Sequence, residues 1–258
     1  MFFKIIDFSR FSSIKIGQPT EVLIVEKGDA IPNDRLIIGH ANNLLISPAP
    51  PPLMMLSKEF SFIELKDNRL TIGGATPTGK IISFAKRYNL AGFEFISKLP
   101  GSLGGMVAMN AGVKSYEIFN IIDEVKINNR WIKKEEITYG YRNVKLEGVV
   151  TEVRFKIEKG FNNNLLKELL SMRQNQPKTP SAGSAFKNPK GGYAGKLIEA
   201  VGLKGFSIGD MQWSSIHANF LVNNGHGTFS DAKTLLDLAK NRVLKEFKIE
   251  LEEEIKIL

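Results

Sequence analysis

An α+β fold is what this sequence predicts, from three observations. Apolar runs of strand length recur along the chain, only three segments carry a helical stripe, and strands and helices do not alternate as in βαβ units. Hydrophobic residues make up 43% and charged residues 24% of the 258, an ordinary composition for soluble globular domains. That length suffices for two modest domains or three small lobes.

The first 46 residues read as short strands between turns. Val22–Val25 and Leu36–Ile38 are buried-strand runs, and a loop follows over Gly39–Asn43. Pro48, Pro50, Pro51 and Pro52 then exclude both helix and sheet interior, marking an exposed lobe boundary. Residues 1–46 are thus expected to form a first subdomain. Phe60–Leu65 and Arg69–Ile72 suggest a hairpin around Asp67-Asn68. Thr78 is the expected cap of a helix over Gly79–Tyr88, whose Ile81, Phe84, Ala85 and Tyr88 share one face. Ile121–Ile127, Arg130–Ile132 and Val149–Ile157 read as further strands. Gly160 and Asn162–Asn164 mark a second boundary, so 47–160 would form the second subdomain. Asn162–Asn164 then cap a helix to Arg173, with a core face of Leu165, Leu166, Leu169, Leu170 and Met172. Ser230 is the expected cap of a last helix over 231–247, closing a third domain over 161–247. Leu251–Leu258 ends the chain as a strand, with 248–258 expected to return to the second subdomain.

One stretch invites a ligand. Pro100–Gly112 reads PGSLGGMVAMNAG, and Gly101, Gly104 and Gly105 let the backbone approach a bound group with no Cβ in the way. Successive N–H groups in such a turn favour an anion, commonly phosphate. The spacing matches neither the dinucleotide fingerprint GxGxxG nor the GxxxxGKS phosphate loop.

Composition removes several alternatives. No cysteine is present, which excludes disulfides and thiolate chemistry, and His40, His217 and His226 lack the spacing of a metal pair; no metal is expected. The net charge of +8 suits anionic small molecules. The basic residues are dispersed and lack aromatic interleaving, so nucleic acid is not an expected partner. The apolar N-terminal MFFKIIDFSRF is broken by Lys4, Asp7 and Arg10, and no run approaches a membrane span. A cytoplasmic protein, expected to be a monomer and without a membrane partner, is the default.

Three more stretches complete the pattern: Tyr139–Asn143 (YGYRN), Ser181–Pro189 (SAGSAFKNP) and Leu251–Ile255 (LEEEI). With IGHANN and PGSLGGMVAMNAG, in this order, they resemble the UDP-N-acetylenolpyruvoylglucosamine reductases of bacterial cell-wall synthesis. GGYAGKLIEAVGLKG at 191–205 and SSIHANFLVNNG at 214–225 agree, so the resemblance spans roughly 12–257. It implies a vanillyl-alcohol-oxidase (PCMH) type fold: two FAD-binding subdomains and an α+β substrate domain. It also implies that NADPH reduces FAD, and that hydride then passes to the enolpyruvyl double bond, giving UDP-N-acetylmuramate. Lacking a separate Rossmann fingerprint, NADPH and the enolpyruvyl substrate are expected to take turns at one flavin face.

The resemblance assigns roles residue by residue, and the chemistry of each can be checked. Hydride addition to the enol ether leaves negative charge shared with the adjacent carboxylate. Arg142 matches the family's arginine, whose planar, permanently charged fork grips a carboxylate. Ser184 matches the proton donor; a hydroxyl is a weak acid, but the enediolate carbon it faces is a strong base. Glu254 matches the catalytic glutamate, which as a neutral acid donates a hydrogen bond and needs burial to stay neutral. Strand alternation sets Glu252, Glu254 and Lys256 on one face and does not by itself bury Glu254. For FAD the resemblance implies Gly39, His40, Ala41, Asn42, Asn43 and Leu44, then Pro100, Gly101, Ser102, Gly104 and Gly105, with Asn110, Ala111 and Gly112 near the ring. Tyr141, Lys187 and Asn188 are the candidate substrate contacts, and Gly73 and Gly74 belong to the scaffold.

Some positions depart from the family pattern. Gly39-His40-Ala41 makes the first turn tighter than usual, Val144 replaces a common serine, and Gln18 replaces a glycine. The interval from Arg142 to Ser184 is too short for the tyrosine-bearing loop of one branch, so this chain resembles the shorter branch. Rival readings are a flavin oxidase or dehydrogenase of the same fold with another substrate, or a non-catalytic module for anionic ligands.

Overall fold

The computed structural model describes residues 1–172 and 174–258. It divides into two compact units: Met1–Lys4, Val22–His40 and Pro52–Gln174 in the first, Ile5–Glu21, Ala41–Pro51 and Asn175–Leu258 in the second. The chain crosses between them five times, once at the proline run, after Pro51. These boundaries differ from the expected three: residues 161–174 stay with the first unit. Phe161 and Leu169 are the reason, since both are buried in that unit's core.

The first unit centres on a five-stranded antiparallel sheet. Its order is Arg130–Lys133, Ile122–Ile127, Val150–Lys156, Arg69–Gly73, Ile63–Lys66. The hairpin expected at Asp67-Asn68 is present: Lys66 pairs with Arg69, and the two turn residues have φ of 49° and 58°. That is the conformation a tight right-twisting hairpin demands of Asx residues. A second, parallel arrangement joins Val22–Val25 to Leu53–Leu56 and then to Leu36–Ile37. The helix expected from Gly79 runs Thr78–Arg87; Pro77 is its N-cap, and no side chain caps it. Ile81 and Ala85 are buried, whereas Phe84 and Tyr88 stack on each other at 4.2 Å. Asn162 caps the helix Asn163–Ser171, its Oδ1 accepting from the N–H groups of Asn164 and Leu165 at 3.0 Å each. Arg173, expected to end it, lies outside the described residues.

The glycine-rich stretch is not all loop. Leu103–Ala108 is a helix, so Gly104 and Gly105 sit in a first helical turn. Gly104 is there because a Cβ would stand 3.2 Å from the Gly74 carbonyl oxygen and 3.3 Å from that of Val150. Gly73 leaves no room at all, since its Cβ would lie 2.0 Å from the Phe60 carbonyl oxygen.

The second unit is built on an antiparallel sheet ordered Ser181–Ser184, Phe220–Asn223, Met211–Trp213, Ser207–Ile208. Its core gathers Phe186, Trp213, Leu235, Leu236 and Val243. The last helix begins earlier than expected, as Phe229–Phe247. Thr228, not Ser230, caps it: the Thr228 hydroxyl accepts from the Asp231 N–H at 3.1 Å, and the Asp231 carboxylate accepts from the Thr228 N–H at 3.2 Å. Both orphan donors are thereby satisfied.

The C-terminus departs most from expectation. Only Lys256–Ile257 is a strand, and it pairs in parallel with Leu44–Leu45 of the second unit. Glu254 stands in a bend because its N–H donates to the Ala185 carbonyl and its own carbonyl accepts from Asn43.

Candidate active site

Within the first unit a slot of about 280 Å³ is lined by Gly39, His40, Gly74, Ser102, Gly104, Gly105 and apolar side chains including Met55, Val144 and Val149. Five residues expected at a cofactor therefore meet here: Gly39, His40, Ser102, Gly104 and Gly105. A Cβ on Gly105 would find only the Ser102 Oγ, at 3.6 Å, so its side of the slot is open. A Cβ on Gly39 would come within 2.6 Å of the same oxygen. The Gly104 N–H is taken by the Gly74 carbonyl at 2.8 Å and that of Leu103 by Thr76 at 3.0 Å. Burial holds the His40 ring below its ordinary value of 6.5, while a hydrogen bond to the Gly101 backbone opposes the shift.

Arg142 lies at the tip of a short hairpin, Tyr139–Gly140 against Asn143–Val144, with φ at 52°. Its guanidinium donates to the carbonyls of Asn110, at 3.1 Å, and Gly112, at 2.7 Å. Glu117 stands 3.6 Å from Nη1, and the side chains of both are mostly buried. Tyr141 is 47% exposed, with the guanidinium 5.0 Å from its ring. The Asn110 side chain is fully buried and faces the fold: its Nδ2 donates to Glu117 at 2.7 Å and to the Gly140 carbonyl at 3.0 Å. Asn110 and Gly112 thus reach Arg142 through backbone carbonyls. A Cβ on Gly112 would lie 2.2 Å from the Tyr116 oxygen, a packing constraint.

In the second unit Ser184 and Glu254, seventy positions apart in sequence, meet at one residue, Ala185. The Glu254 N–H donates to the Ala185 carbonyl at 2.8 Å, and Ile255 donates to the same oxygen at 3.3 Å. Lys187 donates its N–H to the Glu252 carbonyl at 2.9 Å, and Phe186 bridges to Glu253. These bonds replace the expected terminal strand, and they leave Glu254 half-buried. The half-buried Ser184 hydroxyl makes no hydrogen bond among the described residues. At the other end of the same residue, the Ala185 N–H donates to the Asn219 carbonyl at 2.8 Å. Asn43, expected at the cofactor, holds the same segment: its Nδ2 donates to the Glu254 carbonyl at 2.9 Å, and its own carbonyl accepts from the Lys256 N–H.

The remaining expected contacts have structural partners. The Lys187 ammonium pairs with the Glu252 carboxylate, and Asn188 Oδ1 accepts from the Ala194 N–H at 3.1 Å, at the start of the helix Ala194–Ala200. Ala41 is buried in the left-handed region at φ 50°, in keeping with a tightened turn, and Asn42 bonds the Ser13 hydroxyl. Leu44 sits in the strand paired with Lys256. Ala111 is buried, while Pro100 and Gly101 flank the slot without lining it. Sequence reasoning missed Glu117 and Asn219, which carry no motif of their own. It also left Gly74 to the scaffold, yet Gly74 both packs under Val150, where a Cβ would be 2.2 Å from its oxygen, and lines the slot. No cluster able to hold a metal ion occurs among the described residues, and none of their helices is long and apolar enough to cross a membrane.

Residues 175–258, a span beginning where the second unit takes its last segment, match the family model for the UDP-N-acetylenolpyruvoylglucosamine reductase C-terminal domain. The UDP-N-acetylenolpyruvoylglucosamine reductase of Helicobacter hepaticus is 49% identical over 258 aligned residues, covering 98% of each chain. That of Campylobacter jejuni is 44% identical, covering 98% of this chain and all of its own. The crystal structure of the Thermus caldophilus reductase superposes with a TM-score of 0.86 at 31% identity, over 99% of both chains.

Proposed function

The chain belongs to the UDP-N-acetylenolpyruvoylglucosamine reductase family, and it is an oxidoreductase. From that premise we propose that it reduces UDP-N-acetylglucosamine enolpyruvate to UDP-N-acetylmuramate, with NADPH as reductant and FAD as carrier, in peptidoglycan precursor synthesis. The first unit supplies flavin-binding subdomains of the vanillyl-alcohol-oxidase type, and the second supplies the substrate domain. The residues of the slot suit the cofactor: a methyl on Gly105 would occupy the space that a ligand needs to reach the backbone. Gly39, His40, Ser102, Gly104 and Gly105 would hold it there, with Asn43 ordering the adjoining turn. Bound there, FAD would supply a two-electron hydride carrier between NADPH and the enol ether carbon.

The chain's own residues do the rest. Arg142, held against two backbone carbonyls, presents its guanidinium to the substrate carboxylate. Negative charge that develops on that carboxylate is stabilised by the same fork. Ser184 donates its proton to the carbon left anionic by hydride addition. Glu254, in its protonated form, would donate a hydrogen bond to the carboxylate. Tyr141, Lys187 and Asn188 border the substrate.

The observation that carries this reading is the shared residue: Ser184 and the Glu254 segment are fastened to the two ends of Ala185. A fold that merely stored glycine loops would not need to tie its terminus to a serine turn. Anaerobic spectroscopy tests it. The purified yellow protein is expected to bleach with NADPH and recover its colour on adding the enolpyruvyl substrate. Colour that returns only with air defeats the reading.

A further inference from the structure

We infer that Asn219 is a positioning residue for the Ser184 proton donor, an inference that rests on the function proposed above. Asn219 is 3% exposed, and its side-chain amide clamps one residue by both its backbone N–H and its backbone carbonyl. Oδ1 accepts from the Phe186 N–H at 3.1 Å, and Nδ2 donates to the Phe186 carbonyl at 2.8 Å. Its backbone carbonyl takes the Ala185 N–H. Three of its bonds therefore fix the two residues that follow Ser184, and the Ala185 carbonyl is the acceptor of the Glu254 N–H. Ladder pairing cannot do this job: the register between Ser181–Ser184 and Phe220–Asn223 slips between Ser181 and Ser184. The side-chain clamp stands where the regular sheet stops.

Asn219 is itself oriented. Its N–H donates to His217 Nδ1 at 3.3 Å, which fixes the neutral ring's proton on Nε2. Burial keeps His217 below its ordinary value, a direction Lys204 reinforces. The other titratable groups nearby are Lys187, paired with Glu252, Lys240, paired with Glu253, and Glu254 itself. None replaces the amide, which presents an acceptor to the Phe186 N–H and a donor to the Phe186 carbonyl.

The test uses the flavin-loaded protein and its two half-reactions. Asn219→Ala is expected to leave NADPH reduction within about twofold and slow reoxidation by the enolpyruvyl substrate about a hundredfold, the cost of a group misplaced by about 1 Å. Asn219→Asp supplies an internal control, because only its protonated form donates to the Phe186 carbonyl. Relative to the unaltered protein at the same pH, its reoxidation rate should rise about tenfold as pH falls, one buried hydrogen bond regained. Hydrogen exchange at the Phe186 amide should speed up by a similar factor in Asn219→Ala. Reoxidation at the unaltered rate in Asn219→Ala overturns the inference, as does an equal loss in both half-reactions or a flat Asn219→Asp ratio. If the unaltered protein itself is not reoxidised by the substrate, the proposed function falls first and takes the inference with it.

Discussion

Gly105→Ala should make the flavin-free protein more stable and the flavin weaker. Gly105 sits in the first turn of Leu103–Ala108 with ordinary helical φ, so alanine meets no conformational barrier there. Its added carbon would touch only the Ser102 Oγ, at 3.6 Å, an ordinary contact. Alanine exceeds glycine by up to about 1 kcal/mol inside a helix; near a terminus about half of that is reasonable. The same methyl intrudes on the slot, and overpacking costs about 1–3 kcal/mol, roughly five- to 150-fold in Kd. Gly104→Ala is the matched control. Its Cβ would press on two backbone oxygens at 3.2 and 3.3 Å, so the fold should lose about 1–3 kcal/mol. Urea unfolding of flavin-stripped protein reads the first effect, and fluorescence titration with FAD the second. Unaltered FAD affinity in Gly105→Ala would refute the placement of the cofactor in this slot. A loss of stability there would refute the open neighbourhood assigned to Gly105.

Ser184→Ala should keep flavin reduction by NADPH and lose about 10²- to 10⁴-fold in reoxidation by substrate, the usual contribution of a general acid; equal loss in both steps removes the proton-donor role. Initial-velocity lines at several NADPH concentrations should be parallel, and lines that intersect would mean both substrates occupy the enzyme together. His40 and His217 are both held below 6.5, chiefly by burial, so the unfolded chain binds more protons than the folded one between the depressed values and 6.5. Stability is therefore full above about 6.5 and declines as pH falls below it, and replacing both rings with glutamine should flatten that decline in urea midpoints. Thr228→Ala should cost about 1 kcal/mol through the lost cap, whereas Ser230→Ala should cost little; equal effects in thermal unfolding would reinstate Ser230 as the cap.

What the sequence made legible was local. Asp67-Asn68 names its own turn, Asn162 its own cap, and the proline run its own crossing, because each acts through bonds a few residues away. The glycines were legible as ligand-friendly but not as helical. Nothing in LGGMVA says that Gly104 has two carbonyls beneath it, since Gly74 and Val150 are thirty and forty-six positions away. Glu254 was misread as a strand residue for the same reason: its alternation pattern is real, but Ala185 competes for its N–H. Asn219 lay inside a stretch that drew notice, yet only the Phe186 peptide gives its amide a purpose.

The charge of the chain also finds a different place from the one composition suggests. A net +8 invites the expectation that cations grip the phosphates of a dinucleotide. Among the described residues lining the slot there is no lysine or arginine, and the single titratable one, His40, is held toward its neutral form. A diphosphate there would be met by backbone dipoles. The cations that do matter are committed elsewhere: Arg142 to two carbonyls and Glu117, Lys187 to Glu252. Glycine and arginine therefore divide the chemistry by necessity. A close approach to backbone is available only where Cβ is missing, and a permanent charge is useful only where its geometry is fixed. In the proposed reaction flavin binding depends on the first condition and reduction of an anionic enol ether on the second, which is why substitutions at Gly105 and at Arg142 should separate the two.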